Sequence, residues 1–293
     1  MKKFTLMDID TSFACYNQFV NLYAQLKDIM FDSIKIDLQE WFGANMSAVL
    51  GGLLDKGSVT NSVSISSNKS QIITILKKNK FLANYDYPII PDTNGTTIKY
   101  LKLLPSESRY FDLYVMNELL SQSALPKMTD GLKKKIAESI YEIFVNAQTH
   151  SQTDYIYTCG QFFPHKNKIE FTIVDMGLGF KNIINNRIKD IKDIHIPFSS
   201  VQAIEWALED GNTTKVNEPG GLGLSLLTEF IRLNQGKFQI ISDDGFYEFC
   251  ATKQTSKKLD APFPGAIINM EFRTDDVHSY RLSSEVYNKN EIF

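Results

Sequence analysis

GGLGLSLLTEF, residues Gly220–Phe230, places three glycines at the start of an amphipathic helix. Glycine inside a helix costs about 1 kcal/mol relative to alanine, so this cluster needs an explanation. Apolar residues then recur at helical spacing at Leu224, Leu227 and Phe230, which predicts a helix directly after the glycines. A glycine loop that opens onto a helix lets backbone N–H groups approach a phosphate, and the helix dipole favours an anion there. A flexible surface loop is the alternative.

The composition of the chain is that of a globular protein with a sizeable core. Its 293 residues are 43% hydrophobic and 12% aromatic, which allows one large domain or two. The net charge of -3 gives no overall attraction to nucleic acid. Cys15, Cys159 and Cys250 form neither a CxxC pattern nor an even set, so we interpret them as reduced thiols of a cytoplasmic protein. We find no signal peptide and no apolar run long enough for a membrane span.

The N-terminal part of the chain predicts a small α/β unit. Strands are predicted at Ser33–Leu38 and Ser62–Ser66, and helices at Ala44–Lys56 and Gln71–Asn79. Alternating strands and helices of this length indicate βα units around a sheet. Prolines and an Asn-Gly turn within residues 87–108 mark a domain boundary, which we place between residues 104 and 105. The prediction is therefore a first domain over 1–104 and a second over 105–293.

The helix predicted over Leu132–Ser151 carries a polar ladder beside its apolar stripe. Glu138, Glu142, Asn146 and His150 recur every four residues, which places them on one face. A solvated face is one interpretation of this pattern. In the other, Glu142 and Asn146 face the same ligand. An asparagine oxygen can coordinate Mg²⁺, and a glutamate one turn away can orient or deprotonate a water molecule.

A predicted strand in KIEFTIVDMGLGF, residues Lys168–Phe180, ends at Asp175 and is followed at once by Gly177 and Gly179. This arrangement fits a simple turn, and a calcium loop is disfavoured because the regular acidic ligands of such a loop are missing downstream. A buried carboxylate must satisfy its oxygens, and the amino group of adenine is a suitable donor. The two glycines would then let the backbone pack close to the base.

Taken in order, EIFVNAQTH, DMGLGF and GGLGLSLL resemble the asparagine box and the two glycine boxes of the GHKL superfamily. That superfamily includes gyrase, the heat-shock chaperone of ninety kilodaltons, histidine kinases and the mismatch-repair protein MutL. The resemblance covers residues 127–274. It implies a Bergerat-type ATP-binding domain, an α/β (two-layer α+β) sandwich with helices on one face of a mixed sheet, and it implies ATP and Mg²⁺ as cofactors.

The resemblance also assigns a role to each motif residue. Asn146 would hold Mg²⁺, Glu142 would be the catalytic base that activates water, and Asp175 would accept a hydrogen bond from the adenine amino group. Further nucleotide contacts are implied for His150, Gly177, Gly179, Thr214, Lys215, Gly220, Gly221, Leu222, Gly223 and Leu224. Residues 181–219 would form the ATP lid, whose Lys215 would reach the terminal phosphate. An ordinary surface turn is the alternative for Lys215.

One position departs from the family pattern. The family often carries a glycine–threonine pair on its last strand, and the threonine helps to bind adenine through water. Here the pair is Gly265–Ala266. Ala266 has no hydroxyl, so another residue would have to supply that contact.

The superfamily branches differ in what surrounds the ATPase core. The four histidines lie in the ATPase-like half, and none is followed by Asp or Glu, which argues against histidine autokinase activity. Fewer than about twenty residues follow Thr274, too few for the transducer domain of the gyrase, chaperone and MutL branches. The remaining branch is that of the anti-sigma-factor serine kinases, which act on small STAS-domain partners.

Residues 33–80 resemble a STAS domain themselves. The resemblance lies in the strand IKIDL followed by the helix ANMSAVLGGLLDK. Phosphorylatable members carry a serine at the start of that helix, whereas this chain has Gly43, Ala44 and Asn45, and Ser47 lies deeper. We therefore interpret the first domain as a docking or sensing module.

Two functions from different classes follow from these patterns. One is a bacterial signal-transduction regulator that hydrolyses ATP or phosphorylates a protein on serine or threonine, with Glu142 as base. The other is a nucleotide-gated interaction protein with slow or absent turnover, which the lack of a recognisable acceptor residue favours. Both readings expect a protein partner, no nucleic acid and no membrane, and leave a homodimer open.

Overall fold

A computed structural model describes residues 1–191, 196–209 and 222–285, and this part of the chain is a mixed α/β protein. The N-terminal unit, residues 1–86, contains a three-stranded parallel sheet in the order β1-β2-β3. Its elements are β1 (Lys2–Ile9), α1 (Phe13–Leu26), β2 (Ser33–Phe42), α2 (Ser47–Ser58), β3 (Ser62–Ser66) and α3 (Ser70–Lys78).

The predicted elements of this unit are present, and two more come before them. The strand predicted at Ser62–Ser66 is confirmed, and the strand predicted from Ser33 continues to Phe42. The helix predicted over Ala44–Lys56 begins with a 3-10 turn at Ala44–Met46 and continues as α2. Neither β1 nor α1 was predicted. Polar and exposed residues at the edge strand β1 obscure the alternation that a half-buried strand would show.

The rest of the described chain adds a second sheet and its helices. These elements are β4 (Thr97–Leu103), α4 (Ser108–Tyr114), β5 (Lys127–Met128), α5 (Asp130–His150), β6 (Ile156–Phe163), β7 (Lys168–Asp175), α6 (Phe180–Ile191), α7 (Ser200–Leu208), α8 (Leu222–Leu233), β8 (Lys237–Cys250), β9 (Lys253–Arg273) and β10 (Ser279–Tyr280). Among the described residues, no helix is both long enough and apolar enough to span a membrane.

The second sheet has five strands in the order β4-β6-β7-β9-β8. Each neighbouring pair of these strands is antiparallel, so the mixed sheet predicted from sequence is wrong. The reason lies in the connections. Short turns join β6 to β7 and β8 to β9, and such turns reverse the chain direction. The strand β4 precedes the predicted boundary at residue 104 and pairs with β6, so the sheet draws on both sides of that boundary.

Both faces of this sheet are covered. One face, called the helix face, packs against α5 and α8 through an apolar core. The opposite face, called the inner face, packs against α1 and α2 of the N-terminal unit. The two-layer arrangement predicted for this part is therefore incomplete, because a third layer covers the sheet. Alternate residues along β7 separate the two cores, since Phe171 and Ile173 belong to the first and Val174 to the second.

The hairpin of β8 and β9 is longer than the sheet. The strand β7 pairs with β9 only from Ala266 to Arg273, so residues 243–263, called the hairpin arm, project beyond it. The helices α6 and α7, which belong to the predicted lid, pack together around Ile184 and Ala203. The helix α7 also lies against β8.

Candidate functional site

The polar ladder of α5 is present on a helix whose apolar stripe is buried. Thr129 caps the helix by accepting a hydrogen bond from the backbone N–H of Leu132 at 3.3 Å. The stripe predicted from the sequence is confirmed, since its members are at most 7% exposed: Ile136, Ile140, Ile143, Phe144 and Ala147. The ladder therefore runs along the flank of a helix that is anchored on the sheet.

The members of the ladder differ in their surroundings. Glu138 is solvated and forms a 2.6 Å ion pair with Lys135. Glu142 and Asn146 are half-buried, and neither has a hydrogen-bond partner within the part of the chain that the structure describes. His150, at the last turn of α5, is half-buried and already engaged in an interaction. Among the described residues, Glu142 and Asn146 are therefore the ladder members whose side chains have no hydrogen-bond partner.

The end of α5 meets the loop that follows β7. Ser151 closes the helix, and its carbonyl oxygen accepts a hydrogen bond from the backbone N–H of Leu178 at 2.5 Å. A Cβ at Gly177 would lie 1.9 Å from the same oxygen, so only glycine fits at this contact. The structure therefore brings two of the three sequence motifs, EIFVNAQTH and DMGLGF, against each other.

Asp175 is a buried carboxyl at this junction. It is the last residue of β7 and shares the helix face with Ile173, since alternate residues of a strand point the same way. Its Oδ1 accepts a hydrogen bond from the backbone N–H of Gly177 at 3.0 Å. Burial raises the pKa of Asp175 to about 7, although hydrogen bonds from Gly177 and Ser151 and the charge of Lys56 lower it. Asp175 can therefore change its charge near neutral pH.

The backbone beside Asp175 is also closely packed against neighbouring segments. Gly265 has φ +109°, and a Cβ there would lie 2.1 Å from the carbonyl oxygen of Asp175. A Cβ at Gly179 would lie 2.3 Å from Oδ2 of Asp243. The described glycines of the motif therefore sit where side chains would collide with the backbone or with an acidic side chain.

Three residues of this site were not predicted from the sequence. Ser242 pairs with Ala266, its hydroxyl donates to the carbonyl of Gly265 at 2.9 Å, and it accepts from the N–H of Phe180 at 2.9 Å. Asp243 accepts from the N–H of Lys181 at 3.3 Å, and burial raises its pKa. The third is Ser151. The polar run SDDG, which interrupts the apolar residues of β8, is the signal that could have indicated the first two.

The phosphate-binding half of the predicted site is described only in part. Thr214, Lys215, Gly220 and Gly221 lie outside the described residues. The backbone of Leu222 and Gly223 forms the first turn of α8, and Leu224 is half-buried. The helix predicted after the glycines is therefore confirmed, and it packs beside α5 through Leu227 and Phe230.

A multidentate metal centre of protein ligands is not part of the described site. Within residues 1–191, 196–209 and 222–285, no group of three or more His, Cys, Asp and Glu side chains could hold a metal ion. The amide oxygen of Asn146 could act as a single protein ligand to Mg²⁺, an ion that retains several waters and takes further oxygens from bound phosphates.

No protein-family model matches the chain, and no curated protein matches it. The likeness to an ATPase superfamily therefore stays a prediction from the three sequence motifs.

Proposed function

We propose that this protein binds Mg-ATP between α5, the loop after β7 and the start of α8, in the manner of a Bergerat-type ATPase domain. The observation that carries the proposal is Asp175, a buried carboxyl with a pKa near 7 that accepts a hydrogen bond from Gly177 and lies beside the closely packed backbone of Gly177 and Gly265, called the glycine cradle. Hydrogen bonds from Gly177 and Ser151 only partly offset the burial of this carboxyl, and the exocyclic amino group of adenine is a further donor that would stabilise its ionised form.

The described chain supplies groups that fit the other parts of Mg-ATP. Asn146 offers an amide oxygen to Mg²⁺, and Glu142, one turn earlier on the same flank of α5, offers a carboxylate. Mg²⁺, when bound, would neutralise charge on the phosphates. The first turn of α8 directs backbone N–H groups and the positive end of the helix dipole at an anion. Asn146 would orient the ion, and Glu142 would accept a proton from water or from a partner hydroxyl.

Ser242 is the hydroxyl-bearing strand partner of Ala266, the position at which the family pattern often has threonine. Its hydroxyl is buried beside Ala266, next to the carboxyl-bearing end of β7. This hydroxyl donates to the carbonyl of Gly265 and accepts from the N–H of Phe180, so Ser242 would act by fixing Gly265 and the start of α6. The adenine contact would then depend on Asp175 and on the shape of the glycine cradle.

The N-terminal unit serves in this proposal as a STAS-like docking or sensing module for a protein partner. Large apolar side chains are exposed at one end of the unit, where Asn61 joins the loop at residues 29–32 to the end of α2 through hydrogen bonds. Phe31 is 86% exposed and Val59 is 83% exposed. Exposed apolar groups close together are a common feature of protein-binding surfaces.

Calorimetric titration of the purified protein with ATP and Mg²⁺ tests the proposal. We expect Asn146→Ala and Asp175→Asn to weaken binding by more than about tenfold. Gln148→Ala is the matched control, because Gln148 lies on the same helix and is exposed. Binding that is absent in the wild type, or equal in all four proteins, would overturn the proposal.

The same titration has a signature that belongs to Asp175. An amino group that donates to the carboxylate favours its ionised form, so binding of ATP lowers the pKa and releases a proton near pH 7. Repeating the titration in buffers of different ionisation enthalpy measures that release. We expect no release with Asp175→Asn. A release that persists in the variant would show that another group titrates.

Turnover separates the enzyme from the nucleotide-gated interaction module, which is the second candidate function. The half-buried Glu142 without a described partner favours the enzyme. We expect Glu142→Gln to abolish phosphate release or transfer while ATP binding persists. A wild type that binds ATP without turnover, and whose partner binding responds to ATP equally in Glu142→Gln, is the result that would establish the module.

A further inference from the structure

The hairpin arm lies between the N-terminal unit and the helices of the predicted lid. Consecutive residues of its first strand face opposite ways, as in any strand. Phe246 points toward α1, where its ring centroid lies 5.2 Å from that of Phe13 and 5.9 Å from that of Tyr16. Tyr247 points the other way and shares a core with Ile204 of α7. The first strand of the hairpin arm therefore lies between α1 and α7.

The side of the arm that faces α1 is held by polar groups as well. The backbone N–H of Asp260 donates to Oδ1 of Asn17 at 2.9 Å, and the ammonium of Lys257 lies 4.8 Å from the ring centroid of Phe13. Phe246 is 2% exposed, so its ring fills the space between the arm and α1.

The side of the arm that faces the lid helices is equally well connected. Ser200 at the start of α7 donates to Asp244, and Ser256 donates to Oε1 of Glu205 at 2.8 Å. A Cβ at Gly245 would lie 3.0 Å from Ile204, which indicates how closely α7 approaches the strand. The start of α6 is tied to the root of the arm through Ser242, as described above.

We infer that Phe246 is a positioning residue, through which the N-terminal unit sets the placement of α7. Close-packed layers transmit a displacement, because neighbouring groups leave no space to absorb it. A change at α1, such as binding of a partner, would move the hairpin arm. The strand surface against which α7 packs would move with it. The extension of this inference to nucleotide affinity depends on the proposed function, whereas the placement of α7 does not.

The test uses the full chain with Trp41→Phe as background. The sequence contains two tryptophans, so this change leaves Trp206 of α7 as the single reporter. Phe246→Ala is compared with Phe249→Ala, a control on the same strand that is similarly buried and stacks on Phe238 rather than on α1. Phe246→Leu keeps apolar volume and is the conservative rescue. Phe13→Leu perturbs the same contact from α1 if Phe246→Ala does not fold.

Hydrogen exchange of α7 in nucleotide-free protein gives the first readout. We expect Phe246→Ala to accelerate exchange at α7 by about threefold to tenfold, with Phe246→Leu near the wild type and Phe249→Ala unchanged there. Equal acceleration in Phe246→Ala and Phe249→Ala would overturn the inference, because it would report general loosening of the hairpin.

Trp206 fluorescence during titration with Mg-ATP gives the second readout. We expect the dissociation constant to change by a similar factor in Phe246→Ala and not in Phe249→Ala. If the wild type binds no ATP, the proposed function fails, and exchange at α7 alone decides the positioning role. If ATP binds and α7 exchange responds while affinity does not change, the positioning role stands and its link to the nucleotide is wrong.

Discussion

The two faces of the five-stranded sheet are built from different residues. On the helix face the buried side chains are apolar: Ile169, Phe171, Ile173, Phe238, Ile240, Met270 and Phe272. On the inner face a row of polar side chains is buried under the N-terminal unit: Gln161, Glu170, Thr172, Gln239, Asn269 and Glu271. The same strands thus carry two kinds of interface, one on each side.

The polar side chains of the inner face form a connected network. Thr172 donates to Asn269 at 2.7 Å, and Asn269 donates to Gln239 at 3.0 Å. Asn45 of the N-terminal unit donates to Thr172 at 3.1 Å, and Gln239 donates to the backbone carbonyl of Thr11 at 2.8 Å. Each hydrogen bond requires a particular donor and acceptor in a defined direction, whereas apolar contacts are non-directional.

The charged residues of the inner face are also paired. Lys168 contacts Glu170 at 2.7 Å and Glu271 at 3.0 Å. Burial raises the pKa of Glu271, but the charges of Lys237 and Lys168 outweigh it, so the pKa is lowered. The comparison teaches that the helix face supplies burial energy, while the inner face fixes how the N-terminal unit is oriented on the sheet.

The largest expected effect belongs to the helix face. Phe171 is fully buried beside Tyr114, with ring centroids 5.9 Å apart. We expect Phe171→Ala to lower the free energy of unfolding by about 3–5 kcal/mol, because lost burial and a residual cavity add. Denaturant unfolding measures this change. A loss below about 1 kcal/mol would contradict the assignment of the stabilising core to this face.

Sequence patterns predicted the helix face well and the inner face poorly. The strand Lys168–Asp175 reads as alternating apolar and polar residues, which is typical of a strand with one solvated face. In the structure both faces are buried. The polar residues Glu170 and Thr172 look the same in sequence whether water or another layer of protein satisfies them, so periodicity alone could not reveal the third layer.

The candidate site shows the same division. Asp175, Gly177 and the polar ladder of α5 follow from local motifs and helical spacing, and the structure brings Gly177 against Ser151 at the end of α5. Ser242 and Asp243 come from a strand more than sixty residues later, and only sheet pairing brings them there. Long-range register of this kind is set by tertiary packing, which no local pattern encodes.

The next effect concerns the network on the inner face. Asn45 is fully buried, and its amide group donates to Thr172. We expect Asn45→Ala to lower the free energy of unfolding by about 1–3 kcal/mol, since Thr172 and Asn269 remain paired with each other. Asn94→Ala, in an exposed turn, is the control. An Asn45 effect no larger than that of the control would show that the network does not stabilise the interface.

A pH-dependent effect is expected from Asp175, a carboxyl on the apolar helix face. Because its folded pKa of about 7 exceeds the unfolded value, the native state binds the extra proton between about pH 4 and 7. Stability therefore falls as pH rises through this window. We expect Asp175→Asn to be more stable than the wild type at pH 8 by up to about 4 kcal/mol, and similar at pH 4. Thermal unfolding at both pH values measures the difference, and a constant offset would contradict the shifted pKa.

The smallest expected loss of stability comes from removing one hydroxyl on either side of the sheet. Tyr16 donates to Oε1 of Gln239 at 3.1 Å on the inner face, and Tyr114 donates to the carbonyl of Lys99 at 2.7 Å on the other. Both rings are buried, and each change to Phe should lower the free energy of unfolding by about 0.5–1.5 kcal/mol.

The two hydroxyls differ more in their energetic coupling to Asn45 than in the stability that each contributes. Oε1 of Gln239 also accepts from Asn269, which is linked through Thr172 to Asn45. Tyr16→Phe should therefore be non-additive with Asn45→Ala, whereas Tyr114→Phe should be additive with it. A double-mutant cycle from denaturant unfolding measures both terms. Additivity in both cycles would mean that the inner face is a set of independent hydrogen bonds, and the orientation of the N-terminal unit would then depend on its apolar contacts.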